Sequence, residues 1–503
     1  MSTTSFAPRT GAVLAVVPDS DQAEVAQVLA AASAAAPAVA AASPATRRGW
    51  LHALADALEA RTAELAALAD DETALGLPRL EGEVARMAGQ LRFYGDVAAE
   101  GGYLGVTRDA GAVNGADLVR VQVPLGVVAV FGASNFPFGF GVLGNDTASA
   151  LAAGCPVVAK AHPAHPQLSL ALARVAREAL SAAGAPAGAF GLVSGFDAGA
   201  ALATHDDVDA VAFTGSQAGG TALWRLANGR ERVVPVFAEM GTVNPVVVTP
   251  AAAAARAEEV ARGFVGSFTL GAGQFCTKPG LLLVPAGHGL PDAVARALVA
   301  ADPAPVMLTR GIAETVEAGL FRMVDAGARV LARVPVSTPG AGWHAPAVVL
   351  SAPAARLRPG SALLEECFGA VALVVEYADA EERDGVLARL QGCLAAGVVA
   401  EDADPDAGAL VGSLSALAGR VLVNDWPTGV AFTWAQTHGG PWPATSRPEA
   451  TSVGAAALDR FVRPVSYQGV PDAWLPEAAR EANPYGVPQR VDGVLRPAPV
   501  TAS

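Results

Sequence analysis

The alternation of apolar and polar positions divides the chain into a helical N-terminal region and two series of strands and helices. Residues 46–95 set apolar side chains at helical spacing between charged ones, which predicts an amphipathic helix packed on a larger body. From about residue 125, helical segments alternate with short apolar runs, namely GVVAVFG, PVVAKAH, FGLVSG, VDAVAFTG and VPVFAEMG. Buried strands joined by helices predict a parallel α/β sheet, and such sheets bind ligands at the carboxyl ends of their strands.

A second series follows Cys276 and predicts a second α/β domain. Its apolar runs are GLLLVP, APAVVL, AVALVVEYA and RVLVND, and its helical segments include PDAVARALVA. The tail RFVRPVSYQGVPDAW contains a β-prone segment that is well separated from both series. Two interpretations of this segment stay open: a strand that pairs across a subunit boundary, or an ordinary edge strand.

Composition favours a globular protein of two or three domains and disfavours two classes of partner. The chain has 503 residues, of which 52% are hydrophobic and 16% are charged, so that it can bury substantial cores. Its 34 basic and 48 acidic residues give a net charge of −14. We therefore expect no binding to nucleic acid or to a membrane, because no broad basic surface is available.

The N-terminal sequence predicts neither an export signal nor a membrane anchor. MSTTSFAPRTGAVLAVV lacks the charged region and the long apolar region of a signal peptide. The Ala-rich segment 28–45 is apolar, but Pro37 and Pro44 interrupt it and large side chains are few, which predicts a helix and a loop. We expect a cytoplasmic protein.

The cysteines and histidines show no spacing typical of a disulfide framework or a metal site, and we expect no bound metal. The four cysteines are Cys155, Cys276, Cys367 and Cys393, without a CxxC pair, and the seven histidines are scattered. Cys276 lies in the glycine-rich GAGQFCTKPG, whereas Cys155 and Cys393 lie inside packed runs. Backbone N–H groups and positive potential in such a loop lower a thiol pKa, so Cys276 is a candidate nucleophile; a small buried hydrophobe is the alternative.

Two further side chains that suit catalysis follow predicted strands. Asn135, in FGASNFPFGFG, follows the strand expected at 126–132, where its amide is placed to stabilise an oxyanion; a turn cap is the alternative. Glu239, in VFAEMGTVNP, follows another strand and precedes Gly241. Its carboxylate suits a general base, or else a helix or turn cap.

Two other features suit nucleotide binding. Lys160 ends a strand in VVAKAHPAHP, where it can hold ribose hydroxyls or a phosphate, or stay solvated. In AFTGSQAGG, the residues Gly215, Ser216 and Gly220 open a helix after a strand, and free N–H groups there attract phosphate. The segment is not GxGxxG, so neither feature identifies a nucleotide site by itself.

Taken in order along the chain, these residues resemble the aldehyde dehydrogenase superfamily. The separation of Glu239 and Cys276, 276 − 239 = 37 residues, matches the spacing of base and nucleophile in that family, and the later EECFG motif at 365–369 also matches. The resemblance covers nearly the whole chain. It implies a Rossmann-type nucleotide-binding domain at residues 1–106 and 125–238. It also implies an α/β catalytic domain at 239–445, and an oligomerisation element with the tail at 107–124 and 446–503.

The resemblance also assigns roles and partners. Cys276 would be the nucleophile, Asn135 would donate to the oxyanion, and Glu239 would activate water. Lys160 would hold the adenosine ribose and Ser216 the pyrophosphate; the implied cofactor contacts are Ser134, Lys160, Pro163, Gly215, Ser216, Gly220, Glu366 and Phe368. The protein would act on a small-molecule aldehyde as a homodimer or homotetramer.

Three stretches resemble one branch of the superfamily, which contains α-ketoglutaric semialdehyde (2,5-dioxovalerate) dehydrogenases and a related fatty-aldehyde dehydrogenase. They are FGASNFPF, KAHPAHPQLS and the late region that begins HGGPWPATSRPEATS. The branch implies oxidation of that semialdehyde to 2-oxoglutarate. Pro163 stands where many NAD-using members have a glutamate that binds the ribose 2′-hydroxyl, which favours NADP. The branch often has an arginine after Ser216, where this chain has QAGG, and this keeps NAD open.

The side chains expected around the substrate are Phe136, Phe275, Trp426 and Trp434. This wall is more aromatic than the branch leads us to expect, and VNDWPTGVAFTWAQTHGG contains no arginine for a distal carboxylate. An aliphatic or aromatic aldehyde is therefore an alternative substrate. A nucleotide-binding protein without turnover is an alternative from another class.

Overall fold

Three large sheets and an N-terminal hairpin organise the part of the chain that the computed structural model describes, residues 1–336, 340 and 342–497. The N-terminal region contains the hairpin, a group of helices and two long strands: β1 (Ser2–Ala7), β2 (Ala12–Pro18), α1 (Gln22–Ala41), α2 (Pro44–Glu59), α3 (Thr62–Thr73), α4 (Leu77–Glu100), β3 (Val106–Val113) and β4 (Ala116–Pro124). Helices α2 and α4 bury one face each, including Leu54 and Leu91, in the core shared with the first parallel sheet.

The expectation that Pro37 interrupts the Ala-rich segment is wrong. Helix α1 runs through Pro37, which lies on its exposed face, so that solvent can bind the carbonyl oxygen left without an amide partner. Pro44 occupies the first turn of α2 behind the capping hydroxyl of Ser43. By length and composition α1 is apolar enough to cross a membrane; in the structure Val25 and Leu29 on one face pack against the first parallel sheet.

The first parallel sheet has the order β7-β6-β5-β8-β9. All its neighbouring strands are parallel, as the sequence predicted. Its elements are β5 (Val128–Phe131), α5 (Asn145–Ala153), β6 (Val157–Lys160), α6 (Pro166–Ala182), β7 (Phe190–Val193), α7 (Phe196–Thr204), β8 (Ala210–Gly215), α8 (Gln217–Ala227) and β9 (Val236–Met240).

The second sheet has the order β12-β13-β14-β11-β10-β15-β16 and is parallel except where β12 meets β13. Its buried strands form the predicted second α/β unit. Its elements are β10 (Asn244–Val248), α9 (Pro250–Thr269), β11 (Pro279–Pro285), α10 (Leu290–Ala301), α11 (Arg310–Asp325), β12 (Arg329–Val334), β13 (Ala347–Ser351), β14 (Val371–Tyr377), α12 (Ala380–Leu387), β15 (Cys393–Val399), α13 (Ala407–Ser415) and β16 (Ala418–Val423).

The tail completes a third sheet with the order β17-β4-β3-β18-β19. Its last strands are β17 (Val462–Gln468), β18 (Gln489–Val491) and β19 (Val494–Arg496). Strand β17 is an edge strand that pairs antiparallel with β4, with Val465 opposite Val121. Within one chain, the β-prone tail segment therefore joins the strand pair near 107–124.

The junction between the two parallel sheets positions the candidate site. Glu239 and Met240 belong to β9, so the first sheet continues past the boundary predicted between 238 and 239. A turn of three residues, 241–243, then leads into β10 of the second sheet. The late segment returns to this point, because Met240 donates its N–H to the carbonyl of Ala444 at 2.8 Å. Residues from three distant parts of the sequence meet here.

Candidate active site

The amide of Asn135 is fixed beside the loop that carries Cys276. Asn135 follows β5 and is buried, and its Nδ2 donates to the backbone carbonyl of Gln274 at 2.8 Å. That bond uses one of the two amide hydrogens and leaves the second free. The structure therefore brings the predicted oxyanion donor next to the predicted nucleophile.

The loop that carries Cys276 is held by contacts that the sequence analysis missed. Gly273 has a φ of +70°, and a Cβ there would lie 2.2 Å from the backbone of Gly369, so only glycine permits this approach. Asn244 donates from Nδ2 to the carbonyls of Cys276 and Lys278 at 2.9 and 3.0 Å. The signal for Asn244 was a polar residue at the start of the apolar run NPVVV.

Lys278 joins the same loop to the segment that contains Glu366. Its buried Nζ donates to the carbonyls of Cys367, Gly369 and Val371 at 2.6, 3.1 and 2.8 Å. Buried polar groups need such partners, so this lysine fixes the distance between the two loops. The sequence places Lys278 two residues after Cys276, but nothing in its local pattern indicated this bonding.

His438 completes the site, although the sequence analysis treated the histidines as scattered. Its Nε2 lies 3.5 Å from Sγ of Cys276 and 3.1 Å from Oε1 of Glu239. Oε2 of Glu239 accepts a hydrogen bond of 2.8 Å from the hydroxyl of Ser452. The donor atoms of Glu239, Cys276 and His438 lie within 4.8 Å of one another, a spacing that suits proton transfer and would also admit a metal ion.

The charges around Cys276 differ from the sequence-based expectation of a lowered thiol pKa. Burial raises the pKa of Cys276 well above its ordinary value, and the carboxylates of Glu239 and Glu366 add to this effect. The backbone N–H groups of Cys276 and Thr277 act in the opposite direction. Cys276 is therefore protonated in this structure, and a neighbouring base has to remove its proton before it can act as a nucleophile.

Glu239 is ionised more readily than an ordinary buried glutamate. Burial opposes its charge, but His438, Ser452 and Arg460 outweigh this effect and bring the pKa of Glu239 below its ordinary value. A cavity of about 20 Å³ lies against Glu239, His438 and Ser452, large enough for one water molecule. A charged carboxylate and room for water are the requirements of a general base.

The predicted nucleotide contacts around the start of α8 differ in how exposed they are. Ser216 is exposed at the N-terminus of α8, where its hydroxyl accepts the N–H of Gly219 at 3.1 Å. Gly220 instead packs under Met240, since a Cβ there would lie 2.6 Å from the sulfur atom. Gly215 ends β8 beside the ring of Phe213. Of these three residues, Ser216 alone is exposed, and it leaves the N-terminus of α8 free to receive a phosphate.

Lys160 ends β6, and burial lowers its pKa to about 8. The negative charge of Asp19 raises this pKa but does not outweigh burial. Asp19 is a nearby carboxylate that the sequence analysis did not consider. Pro163 lines a cavity of about 400 Å³ between the N-terminal hairpin and the start of α11, together with Arg310. Ser134 is half-buried in the loop of Asn135.

Glu366 lies across from the turn between the two parallel sheets. A Cβ at Gly241 would lie 2.2 Å from Oε2 of Glu366, and Oε1 is a buried atom without a partner among the described residues. Burial raises its pKa to about 7, with Lys278 acting in the opposite direction. An unpartnered carboxylate oxygen fits a ribose hydroxyl of a nicotinamide cofactor. Phe368 is half-buried in the same segment.

The four predicted aromatic residues do not form one wall. Phe136 and Phe275 contact each other edge to face beside the nucleophile, with centroids 5.0 Å apart. Trp426 packs against Phe264 of α9 at 5.9 Å, and Trp434 is 57% exposed. The phenylalanines lie at the site, whereas Trp426 packs against α9 and Trp434 lies at the surface.

Comparison with known proteins identifies the family. The model of the aldehyde dehydrogenase family matches residues 2–441. The chain is 45% identical over 466 residues to alpha-ketoglutaric semialdehyde dehydrogenase 2 of Azospirillum brasilense, covering 89% of this chain and 87% of that protein. It is 38% identical over 462 residues to alpha-ketoglutaric semialdehyde dehydrogenase of Acinetobacter baylyi, with coverage of 89% and 87%.

A solved structure shows the same fold. The NAD+ complex of an aldehyde dehydrogenase from Bacillus cereus matches with a TM-score of 0.80 over 93% of each chain, at 23% sequence identity. The predicted fold class is therefore confirmed. With the family model matching most of its length, the chain belongs to the aldehyde dehydrogenase family.

Proposed function

We propose that this aldehyde dehydrogenase oxidises α-ketoglutaric semialdehyde to 2-oxoglutarate through a thioester on Cys276. The contact of His438 with both Cys276 and Glu239, beside the amide of Asn135, carries the chemistry. The relatives at 45% and 38% identity, both named for this semialdehyde, support the substrate.

The first step in this proposal is deprotonation of Cys276. Its proton passes to Nε2 of His438, 3.5 Å away, and the resulting imidazolium donates to Glu239. The thiolate then forms a bond to the aldehyde carbon, and the carbonyl oxygen becomes an alkoxide. The free N–H of Asn135 and the backbone N–H of Cys276 stabilise this charge.

A nicotinamide cofactor, when bound, would supply the acceptor for the hydride that leaves the carbon bound to Cys276, so that the alkoxide carbon becomes the carbonyl of a thioester. Glu366 would bind its ribose, and the exposed end of α8 at Ser216 would bind its diphosphate. The thioester left on Cys276 is then attacked by water, whose proton passes to the carboxylate of Glu239. The carbon–sulfur bond then breaks and the acid leaves, His438 returns its proton to the sulfur, and Glu239 releases the proton taken from water to solvent.

We propose NADP as the preferred cofactor, with NAD as the weaker one. Pro163 places no carboxylate where a 2′-phosphate would be repelled, and Lys160 offers a cation. Asp19 acts against this preference because its charge is close enough to influence Lys160. The ratio of kcat/KM for NADP and NAD tests it, and an Asp19→Asn variant should move that ratio further toward NADP.

We also propose a homo-oligomer held by edge strands. Among the described residues, β16 and β17 each pair on one side only, and Val423 of β16 is 49% exposed. Open edges of this kind favour pairing with a second copy. Light scattering during size-exclusion chromatography should give at least twice the 50.4 kDa of one chain.

Initial rates test the substrate. α-Ketoglutaric semialdehyde, a medium-chain aldehyde and an aromatic aldehyde should be compared with each cofactor. A preference of about 100-fold for the semialdehyde in kcat/KM corresponds to roughly 2.7 kcal/mol and would support the proposal. Preference for the uncharged aldehydes would favour the alternative substrate, for which the contact of Phe136 with Phe275 is the supporting observation.

A further inference from the structure

Helix α4 presents two arginines to the elements that surround the candidate site. Arg79 lies with its guanidinium carbon 5.1 Å from the centroids of Phe136 and Phe275 and donates to the carbonyl of Asn135 at 2.7 Å. Arg86, seven residues later on the same helix face, lies 5.0 Å from the centroid of Phe432.

Arg86 faces the segment that forms the other wall of the site. It donates to the carbonyl of Val430, and Val430 packs in one apolar cluster with Phe432 and Phe140. Phe140 in turn contacts His438 at a centroid distance of 5.9 Å. The guanidinium of Arg86 is thus connected to the reacting groups through two aromatic side chains.

Among the described residues, Arg79 and Arg86 lack the carboxylate partners that Arg92, the third arginine of α4, has. Among the described residues, neither has a carboxylate oxygen within 4.0 Å, and each makes one hydrogen bond, to a backbone carbonyl. Arg92, on the same helix, binds Asp56 and Glu59 at 2.6 and 2.7 Å. A guanidinium has further N–H donors, arranged to bind a carboxylate through two bonds.

Glu83 stands between the two arginines but does not neutralise them. Its Oε1 accepts the N–H groups of Phe138 and Gly139, each at 3.0 Å, and its other oxygen has no partner among the described residues. Burial lowers the pKa of both guanidinium groups, and the charge of Glu83 acts in the opposite direction. Two cations and one carboxylate leave a net positive charge on this face of α4.

We propose that Arg86 binds the carboxylate of the semialdehyde substrate, with Arg79 adding positive potential at the same end of the pocket. This inference rests on the proposed substrate. It supplies the cation that the loop VNDWPTGVAFTWAQTHGG lacks, from a different element. The ligand class is an aldehyde that carries an anionic group at its far end, and the bond is a charge-assisted pair with a guanidinium fork.

The test compares two aldehydes with the same number of carbon atoms, α-ketoglutaric semialdehyde and uncharged pentanal, on three variants. Arg86→Gln should lower kcat/KM for the semialdehyde about 10- to 100-fold, mainly through KM, because one charge-assisted bond is lost. Its rate with pentanal should stay within a few-fold of wild type, which also shows that the variant folds. Arg86→Lys should restore part of the loss, and Arg92→Gln should match wild type with both aldehydes.

Binding of the product gives a second readout. Added 2-oxoglutarate should slow alkylation of Cys276 in the wild type and protect it less in Arg86→Gln. If the wild type prefers the semialdehyde and Arg86→Gln keeps the same preference, the inference is overturned while the proposed function stands. If the wild type itself shows no preference over pentanal, the proposed substrate is wrong and the subsite falls with it.

Discussion

The imidazole of His438 lies 3.1 Å from the carboxylate of Glu239, and the two side chains are only 1% and 3% exposed. Burial alone would raise the pKa of Glu239, and His438 is the largest of the contributions that lower it, together with Ser452 and Arg460. The lowered pKa means that Glu239 stays ionised as the pH falls through the range in which an isolated buried glutamate would take up a proton.

Replacing His438 should therefore change the pH dependence as well as the rate. In His438→Gln the pKa of Glu239 rises, so the acid limb of the pH profile of kcat should move to higher pH. Loss of the base next to Cys276 should also slow turnover about 100-fold. His52→Gln is the control, because His52 pairs with Asp96 at the surface. An acid limb that stays in place would show that His438 does not act on Glu239.

Replacing Cys276 should abolish oxidation without unfolding the protein. Cys276→Ala removes the atom that bonds to substrate, and cofactor binding, measured by fluorescence titration, should stay close to wild type. Cys393→Ala is the matched control: its thiol is buried in β15, so we expect a stability loss of about 1 kcal/mol and retained turnover. Turnover of Cys276→Ala near the wild-type rate would exclude Cys276 as the nucleophile.

Neighbouring glutamates allow a direct test of the charge around the thiol. Glu366 raises the pKa of Cys276, so Glu366→Gln should lower that pKa and increase the thiolate fraction. We expect iodoacetamide to react with Cys276 about 3- to 10-fold faster at about pH 8, where Glu366 in the wild type is ionised. Glu365→Gln should leave the alkylation rate unchanged, because Glu365 is exposed and pairs with Arg322. Equal rates in both variants would contradict this account.

The close approach at Gly273 should be sensitive to a single methyl group. Gly273→Ala forces a Cβ against the backbone of Gly369 and displaces the loop of Cys276. We expect kcat to fall at least tenfold, which corresponds to an increase of roughly 1.4 kcal/mol in the activation free energy. Gly287→Ala controls for backbone strain, since Gly287 has a φ of +83° but no atom within 4 Å of an added Cβ. It should lose about 1–2 kcal/mol of stability and no turnover. Similar kinetics in the two variants would count against the packing argument.

Local sequence pattern predicted the parts of the site that lie at strand ends. Asn135 follows a β-prone run, and Cys276 stands in a loop whose glycines are visible in the sequence. Glu239 was expected just after a strand, but it lies within β9, one residue before its end. The parallel order of the strands was confirmed because buried runs joined by helices have few other solutions. Gly220 shows the limit of this approach: its position in a helix start suggested phosphate binding, but it is needed for contact with Met240.

His438 and Arg86 could not be predicted in the same way. His438 is 162 residues from Cys276, and its approach depends on how the late segment packs across the end of β9. Arg86 reads in the sequence as one charged position on an amphipathic helix, equivalent to Arg92. Only the structure shows that Arg92 has carboxylate partners and that Arg86 instead contacts Phe432 and Val430. Long-range packing, and not local propensity, separates these roles.

Because the reacting groups are divided between two sheets, enzymatic activity should be lost early when the protein begins to unfold. Glu239 lies near the end of β9 in the first parallel sheet, whereas Cys276 is held by the second sheet through Asn244 and Lys278. A small opening between the sheets would separate the carboxylate of Glu239 from the thiol of Cys276 while leaving the helices intact. In rising denaturant, turnover should therefore disappear before the circular dichroism of the helices changes, which makes loss of activity an early sensor of partial unfolding during storage.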